Sequence, residues 1–338
     1  MALSSSLLAG LRKHPIAFLL VKRLALGVLT VVLVSFIVFG ATQVLPGNAA
    51  TAILGSHATP QAVHRLDRQL HLDRGLLAQY WAWISGLLSG HPGLTLSSGT
   101  GTFATQQTVW GLVGPRLANS AALVFISGAL STGLGIVLGA YAALRRGRWL
   151  DHILSISMLT LASLPEFVVA VVLIIIFSTV VFHLLPAVSL LPPGTYAWSS
   201  PRLLILPIAT LVLVTLPYLF RMMRAAMIEA LDSEYAETAR LKGAPPRRVV
   251  FLHALPNALP PAIQVVGLNF LYLAGGIVVV EYVFNFPGIG QALVSAVNDR
   301  DVPVVQLIVV ILASFYVVMN IITDLIALLA TPRRRLPR

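Results

Sequence analysis

The sequence predicts an all-α polytopic membrane protein with six spans, and three observations carry that prediction. Of 338 residues, 57% are hydrophobic and only 10% are charged, whereas a water-soluble domain carries about 25% charged residues. Six apolar stretches are each long enough to cross a hydrocarbon core about 30 Å thick, which takes about 20 residues of helix. The 23 Lys and Arg residues divide unevenly between the two sides that those spans would define. So little charge excludes a soluble domain, and high apolar content excludes disorder. Basic nucleic-acid-binding patches sit on polar soluble surfaces, so the net charge of +11 is read as topology rather than as a nucleic-acid interface. The chain has no cysteine, which removes disulfides and thiolate metal sites.

The first stretch, 24–45, has about 22 apolar residues against the 7–15 of a cleavable signal core, so an uncleaved anchor is expected. The second, 117–144, contains Gly133, Gly135 and Gly139. Their spacing is wrong for a dinucleotide loop, and small residues in a span favour close helix packing. The third, 153–182, contains Pro165, and the fourth, 203–231, contains Pro207 and Pro217. Each ring removes a backbone donor, so kinks are expected. The third is read as one long kinked helix, a break at Pro165 being the alternative. The fifth and sixth run over 257–284 and 303–330. No ten-residue alternating segments of a barrel appear.

With the N-terminus inside, six basic residues fall outside: Arg65, Arg68, Arg74, Arg116, Arg202 and Arg300. The other 17 fall inside, so the positive-inside rule places both ends in the cytoplasm. The chain then divides into a cytoplasmic N-terminus with the first span (1–45), an extracytoplasmic segment (46–116), a five-helix core (117–330) and a basic cytoplasmic tail (331–338).

In the outer segment, Thr59 and Pro60 supply an N-cap and an N1 proline. Val63, Leu66 and Leu70 follow on one face, opposite Arg65, Arg68 and Gln69. A second helix, "LLAQYWAWISGLL", carries Tyr80, Trp81 and Trp83, residues that favour the membrane–water interface. They are candidates for an interfacial anchor and for contact with an extracytoplasmic protein. A Gly/Ser/Thr-rich loop over 96–105 comes next.

The longest inner loop reads "DSEYAETARLKGAPPRRVVFLHAL". Two short helices fit it. Ser233 caps the first and Glu234 sits in its first turn, where the helix dipole favours an anion. Gly243 serves as the left-handed C′ residue that ends it, and Pro245 and Pro246 start the second. No span needs such a loop merely to turn round, so it reads as a docking element.

This loop resembles the "EAA" loop of membrane subunits of binding-protein-dependent ABC importers: Glu-Ala-Ala, three residues, Gly, nine residues, then Ile-x-Leu-Pro. Here Glu237-Thr238-Ala239 is followed after three residues by Gly243 and after nine more by His253-Ala254-Leu255-Pro256. Thr238 and His253 depart from the commonest pattern. The strings "LPGNAATAILG", "SLPEF" and "GGIVVVEYVFNFPGIGQALVSAVNDRDVPVVQ" are similar to the dipeptide/oligopeptide permease subfamily and its nickel-transporting relatives. Asn48 stands where that subfamily often has Asp. The resemblance covers nearly the whole chain.

The resemblance implies a type I ABC importer permease fold in the plasma membrane of a prokaryote. It implies that residues 232–256 dock on a cytoplasmic ATPase, with Glu237, Thr238, Ala239, Gly243, Leu255 and Pro256 as the coupling residues. Ala236, Ala239 and Gly243 would let the backbone approach that partner closely. It further implies a second homologous permease, two ATPase subunits that bind ATP and Mg, and an extracytoplasmic substrate-binding protein. Peptide is favoured over nickel, glutathione or opine-like solutes.

No Gly-x4-Gly-Lys-Ser/Thr loop occurs, so nucleotide chemistry belongs to a partner. No catalytic grouping, resident cofactor or metal site is expected. His57, His64 and His71 recur every seven residues, but heptad positions on a helix lie about 10 Å apart, too far for one metal. Carboxylates within spans are costly and should face protein or a wet path. Glu281 is a candidate gate or substrate-amine contact, or else a polar tie for the outer loop; Phe284 and Phe286 are candidate gate residues with it, Glu166 is a candidate pore residue, and Asp324 a partner for Arg or backbone. A proton relay through these carboxylates, making a secondary transporter, is the competing class.

Overall fold

A computed structural model describes residues 15–44, 59–61, 64, 75–95, 107–191 and 195–330. Asn48, His57, His71, the apolar face of Val63, Leu66 and Leu70, the 96–105 loop and the 331–338 tail lie outside the described residues. Pro60, Gln61 and His64 are helical. Ten helices follow in order: α1 Pro15–Val44, α2 Leu76–Leu88, α3 Val109–Leu144, α4 Trp149–Ala162, α5 Glu166–Thr179, α6 Ile205–Leu231, α7 Glu234–Leu241, α8 Pro246–Val283, α9 Ile289–Asn298 and α10 Val302–Ala330. Among the described residues there is no strand, only an isolated bridge between Leu94 and Thr108.

Among the described residues, five helices, α1, α3, α6, α8 and α10, are long and apolar enough to cross a membrane, and the α4–α5 pair makes a sixth if it counts as one broken span. That pair corrects the expectation of one long kinked helix. The two axes meet at 107°. Leu164 precedes a proline and is therefore steered out of the helical region. Pro165 is itself extended, with φ −61° and ψ 150°, and offers no amide to continue the ladder. Ser163 closes α4 by donating its hydroxyl to the Thr160 carbonyl at 2.7 Å, and the Val168 amide opens α5 on the Pro165 carbonyl. The two prolines of the fourth stretch do not interrupt it. Pro207 lies in the first turn of α6, where amides lack partners anyway, and Pro217 lies inside the same continuous helix.

Helix α6 is the centre of the bundle and packs against α3, α4, α5 and α8. Its seam with α3 depends on Gly135 and Gly139. A Cβ on Gly135 would stand 2.5 Å from the Leu219 Cβ, and one on Gly139 would stand 2.7 Å from the Phe220 carbonyl oxygen. Gly133 has nothing near it, so only the four-residue pair brings the backbones together, as small-xxx-small packing requires. Helix α1 lies at the edge, against α10, with Leu26, Leu29, Leu33 and Ile37 exposed along one face. Helix α2 lies on α1: the Tyr80 ring meets Phe36 and Phe39 edge-on at 5.6 and 5.5 Å, and its hydroxyl shares a hydrogen bond with Ser35 at 2.8 Å.

The inner loop differs from expectation at its second half. The helix begun by Pro246 does not stop; it passes through a wide turn at Val249–Ala254 and becomes the span. Pro256 lacks an amide, so a regular α ladder would lose a bond there. The wide turn and the Asn257 side chain, which donates to the His253 carbonyl at 2.7 Å, carry the helix past it.

Candidate functional site

Helix α7 ends in a fully formed Schellman motif. The Gly243 amide donates to the Arg240 carbonyl at 2.9 Å and the Ala244 amide to the Ala239 carbonyl at 3.1 Å. Gly243 itself adopts φ +79°, a left-handed backbone that a side chain disfavours. Ser233 occupies the N-cap position, but its hydroxyl donates back to the Ala230 carbonyl at 2.6 Å instead of capping α7. Ala236 and Ala239 are buried against Val249, with Ala244 beside them. The two alanines therefore seal the loop's own small core. Tyr235, Glu237, Thr238 and Leu241 point outward, Leu241 being 82% exposed. Leu255 packs on the alanines and methionines where α6 meets α8, and Pro256 is exposed.

At the opposite end of α8, Glu281 is fully buried. Its Oε1 accepts from the Ser120 hydroxyl at 2.5 Å, and its Oε2 accepts from the amides of Gly290 at 2.7 Å and Gln291 at 3.3 Å. Ser120 in turn accepts from the Ile289 amide at 2.8 Å. The carboxylate thus sits on the N-terminus of α9, where unpaired amides and the helix dipole favour an anion. This geometry explains the Pro-Gly-Ile-Gly string. A Cβ on Gly288 would collide with the carboxylate, and one on Gly290 would press on Val278 and on Oε2. Asn119 joins the clasp by donating to the Pro287 carbonyl at 3.0 Å and accepting from the Ala197 amide at 2.8 Å. Arg116 donates to the Gln291 side chain at 2.8 Å. Phe284 and Phe286 are both fully buried in the main hydrophobic core, with Leu273 and Ile277 of α8. Within this chain, neither they nor Glu281 line an open path.

Glu166 begins α5 directly after the break. It is half-buried and accepts from the Tyr272 hydroxyl of α8 at 3.2 Å. Asp324 pairs with Arg23 of α1 at 3.0 Å, the kind of arginine contact its place near a span end called for. Of the three aromatic residues on α2, Tyr80 is consumed by α1, Trp83 stacks on Phe39 at 5.8 Å, and Trp81 is 67% exposed. Among the described residues, no three His, Asp or Glu side chains converge as metal ligands.

Sequence reasoning missed Ser120, Asn119 and Tyr272, and it missed the pair of Asp151 with Arg224. The signal for Ser120 and Tyr272 was indirect: a carboxylate in a span demands a donor, but nothing along the chain says which one. Asp151 carried a plainer signal, an acid in the first turn of α4.

The family described as "Binding-protein-dependent transport system inner membrane component" matches residues 135–336. Its N-terminal companion, "Binding-prot-dependent transport system membrane comp, N-term", matches residues 16–124. A probable peptide ABC transporter permease protein of Sinorhizobium fredii is 33% identical over 317 residues, 94% of this chain and 98% of that protein. A putative peptide transport system permease protein of Brucella abortus is 34% identical over 318 residues, with the same coverage. A glutathione transport system permease protein of Escherichia coli is 33% identical over 315 residues, 93% of this chain and 98% of that protein. A solved structure, "Crystal structure of an amino acid ABC transporter with histidines", aligns with 65% of this chain and 92% of its own at 20% identity and a TM-score of 0.44.

Proposed function

The chain belongs to the binding-protein-dependent transport system inner membrane component family, as a permease of the peptide and glutathione type of ABC importer, and from that premise we propose that it forms half of a translocation path for di- and oligopeptides, coupled to cytoplasmic ATPases through residues 232–256. The observation that carries this reading is the form of α7. An eight-residue helix stopped by Gly243 spends its alanines on its own packing and presents Tyr235, Glu237, Thr238 and Leu241 outward. An exposed rim of mixed apolar and polar side chains on a short, firmly stopped helix beside the root of a span is what a partner needs to transmit movement into that span. A closing ATPase dimer would draw two such loops together, and α6 and α8, which flank the loop, would turn with them.

In this reading both ends of the chain are cytoplasmic, a second permease completes the path, two ATPases bind the ATP and Mg, and an extracytoplasmic binding protein delivers the solute. Trp81 is the most exposed of the α2 aromatic residues and is the one placed to meet that protein. Glu281, Phe284 and Phe286 hold the outer end together, and the path runs elsewhere.

The test is peptide uptake by native cells in which this gene is deleted and restored. Labelled trialanine should enter only when the gene is present and ATP is available, and should continue when the proton gradient is collapsed with ATP held constant. Uptake that follows the proton gradient would instead support the secondary-transporter class. Excess glutathione as competitor separates the peptide reading from a glutathione reading, which the Escherichia coli relative favours.

A further inference from the structure

Helix α6 is buried almost all round, yet one stripe of it is open: Tyr218, Arg221, Met222, Ala225 and Glu229, at helical spacing. Helix α8 carries a second open stripe through Gln264, Leu268, Tyr272 and Gly275. The two meet at their polar residues. Tyr272 donates to Glu166 at 3.2 Å, and the Tyr218 phenol lies within electrostatic reach of Tyr272. The Arg221 guanidinium lies over the Tyr218 ring, 5.2 Å from its centre. Tyr218 is 53% exposed and Tyr272 44%. A Cβ on Gly275 would meet nothing within 4 Å, so there is room beside them.

Depth decides what this surface faces. Arg221 lies one turn above Arg224, whose partner Asp151 opens α4 beside the inner turn, so it stands at the inner end of the span. Glu166 instead follows the 14 residues of α4, about 21 Å of helix from that turn. A glutamate at such depth costs about 2.5–3.5 kcal/mol against lipid, so Glu166 and the surface it shares with Tyr272 face protein or water. The groups alternate with apolar ones: Leu164 and Phe167 flank Glu166, and Leu268 and Met222 flank the tyrosines, all exposed. A surface with one carboxylate, one guanidinium, two phenols and apolar patches matches the chemistry of a zwitterionic peptide.

We propose that these two stripes form this chain's substrate-contacting wall, where Glu166 with Tyr272 receives the ammonium end of a peptide and Arg221 on Tyr218 its carboxylate. Tyr272 orients the carboxylate of Glu166, and the Tyr218 ring holds the guanidinium flat by a cation–π contact. This wall rests on the reading of the chain as a peptide permease.

The test compares Glu166→Gln and Arg221→Gln in the full transporter in native cells, supplied with trialanine or trialanine amide. Each variant should lower trialanine uptake at subsaturating concentration about tenfold, the loss of about 1.4 kcal/mol of contact. Arg221→Gln should also erase the preference for trialanine over its amide, because the amide lacks the carboxylate that arginine reads. Co-purification of the partner subunits at wild-type levels shows that assembly is intact. Wild-type uptake in both variants, or an equal loss for peptide and amide in Arg221→Gln, overturns the proposal. Loss of the second permease on co-purification overturns it too, in favour of a subunit interface. Failure of the wild-type protein to import trialanine with ATP would instead defeat the peptide reading itself.

Discussion

Arg224 of α6 grips Asp151 of α4 with both prongs of its guanidinium, Nε to Oδ1 at 2.6 Å and Nη2 to Oδ2 at 2.7 Å. Asp151 is buried and also accepts from the Gly147 amide at 3.1 Å. Gly147 stands at φ +76° in the turn between α3 and α4. One carboxylate therefore fixes both the turn and the helix that leaves it, and it ties them to the central helix. The direction of α4 before its break at Pro165 follows from this contact.

Asp151→Asn keeps the shape and removes the charge, leaving Arg224 without its counter-ion. The expected loss is about 2–3 kcal/mol, below the ~3–5 typical of a fully buried pair, because the Arg224 side chain keeps some water contact. Thermal unfolding of the detergent-solubilised protein should show it as a lower Tm. The double variant Asp151→Asn with Arg224→Gln should be more stable than the sum of the single losses implies. Losses that add within about 0.5 kcal/mol would mean the two groups are not coupled.

The clasp at the other end makes a second prediction. Gly288→Ala puts a methyl group into the Glu281 carboxylate, so the carboxylate must leave the α9 amides. Ser120, Gly290 and Gln291 then lose their shared acceptor, and each buried group left unpaired costs about 1–3 kcal/mol. Ser120→Ala removes one donor and orphans the Ile289 amide, and should cost about 1–3 kcal/mol by itself. The order of Tm should be wild type, Ser120→Ala, then Gly288→Ala, and the last should lose hydrogen-exchange protection across α9. Wild-type protection in Gly288→Ala would refute the clasp.

The spans were legible because length and apolar content alone define them, and the left-handed Gly243 because helix stops leave a local signature. The polar ties were not, since Ser120 and Glu281 are 161 residues apart and Arg224 and Asp151 are 73 apart. A one-dimensional pattern shows that a buried charge needs a partner but not where the fold will bring one. Pro165 was ambiguous for a different reason. A proline inside a span permits either a kink or a break, and Ser163 and Leu164 decide it through the local bonds that close α4. The packing of the loop's alanines on Val249 was not legible either, because small size suits a close approach to a partner and to the chain itself equally well, and only the fold brings Val249 beside them.

Glycines of one helix should behave oppositely. Gly139→Ala forces a methyl group against the Phe220 carbonyl and the Arg224 amide of α6. Backbone on both sides cannot yield like a flexible side chain, so overpacking should cost about 1–3 kcal/mol. Gly133→Ala meets open space and replaces the residue of greatest backbone freedom, so it should stabilise by about 0.5–1 kcal/mol. Tm values of the two variants, measured side by side, check the sign as well as the size. A fall for both would show that α3 faces a neighbour at Gly133 as well.

Gly243 tests whether the loop works as a rigid stop. A Cβ there has free space, so any effect comes from the backbone at φ +79° and not from a clash. Alanine in that conformation costs about 1–2 kcal/mol, enough to compete with the Schellman bonds to Arg240 and Ala239. Without them α7 tends to run on, and Ala236 and Ala239 separate from Val249. The damage is local, because neither residue belongs to a span. Gly243→Ala should therefore leave the Tm of the solubilised protein near wild type while peptide uptake falls several-fold. Asparagine tolerates the left-handed region better than alanine, so Gly243→Asn should recover part of the uptake. If alanine and asparagine were equally harmful, the left-handed backbone would not be what matters at this position. If neither changed uptake, the loop would not be the point where the chain is driven.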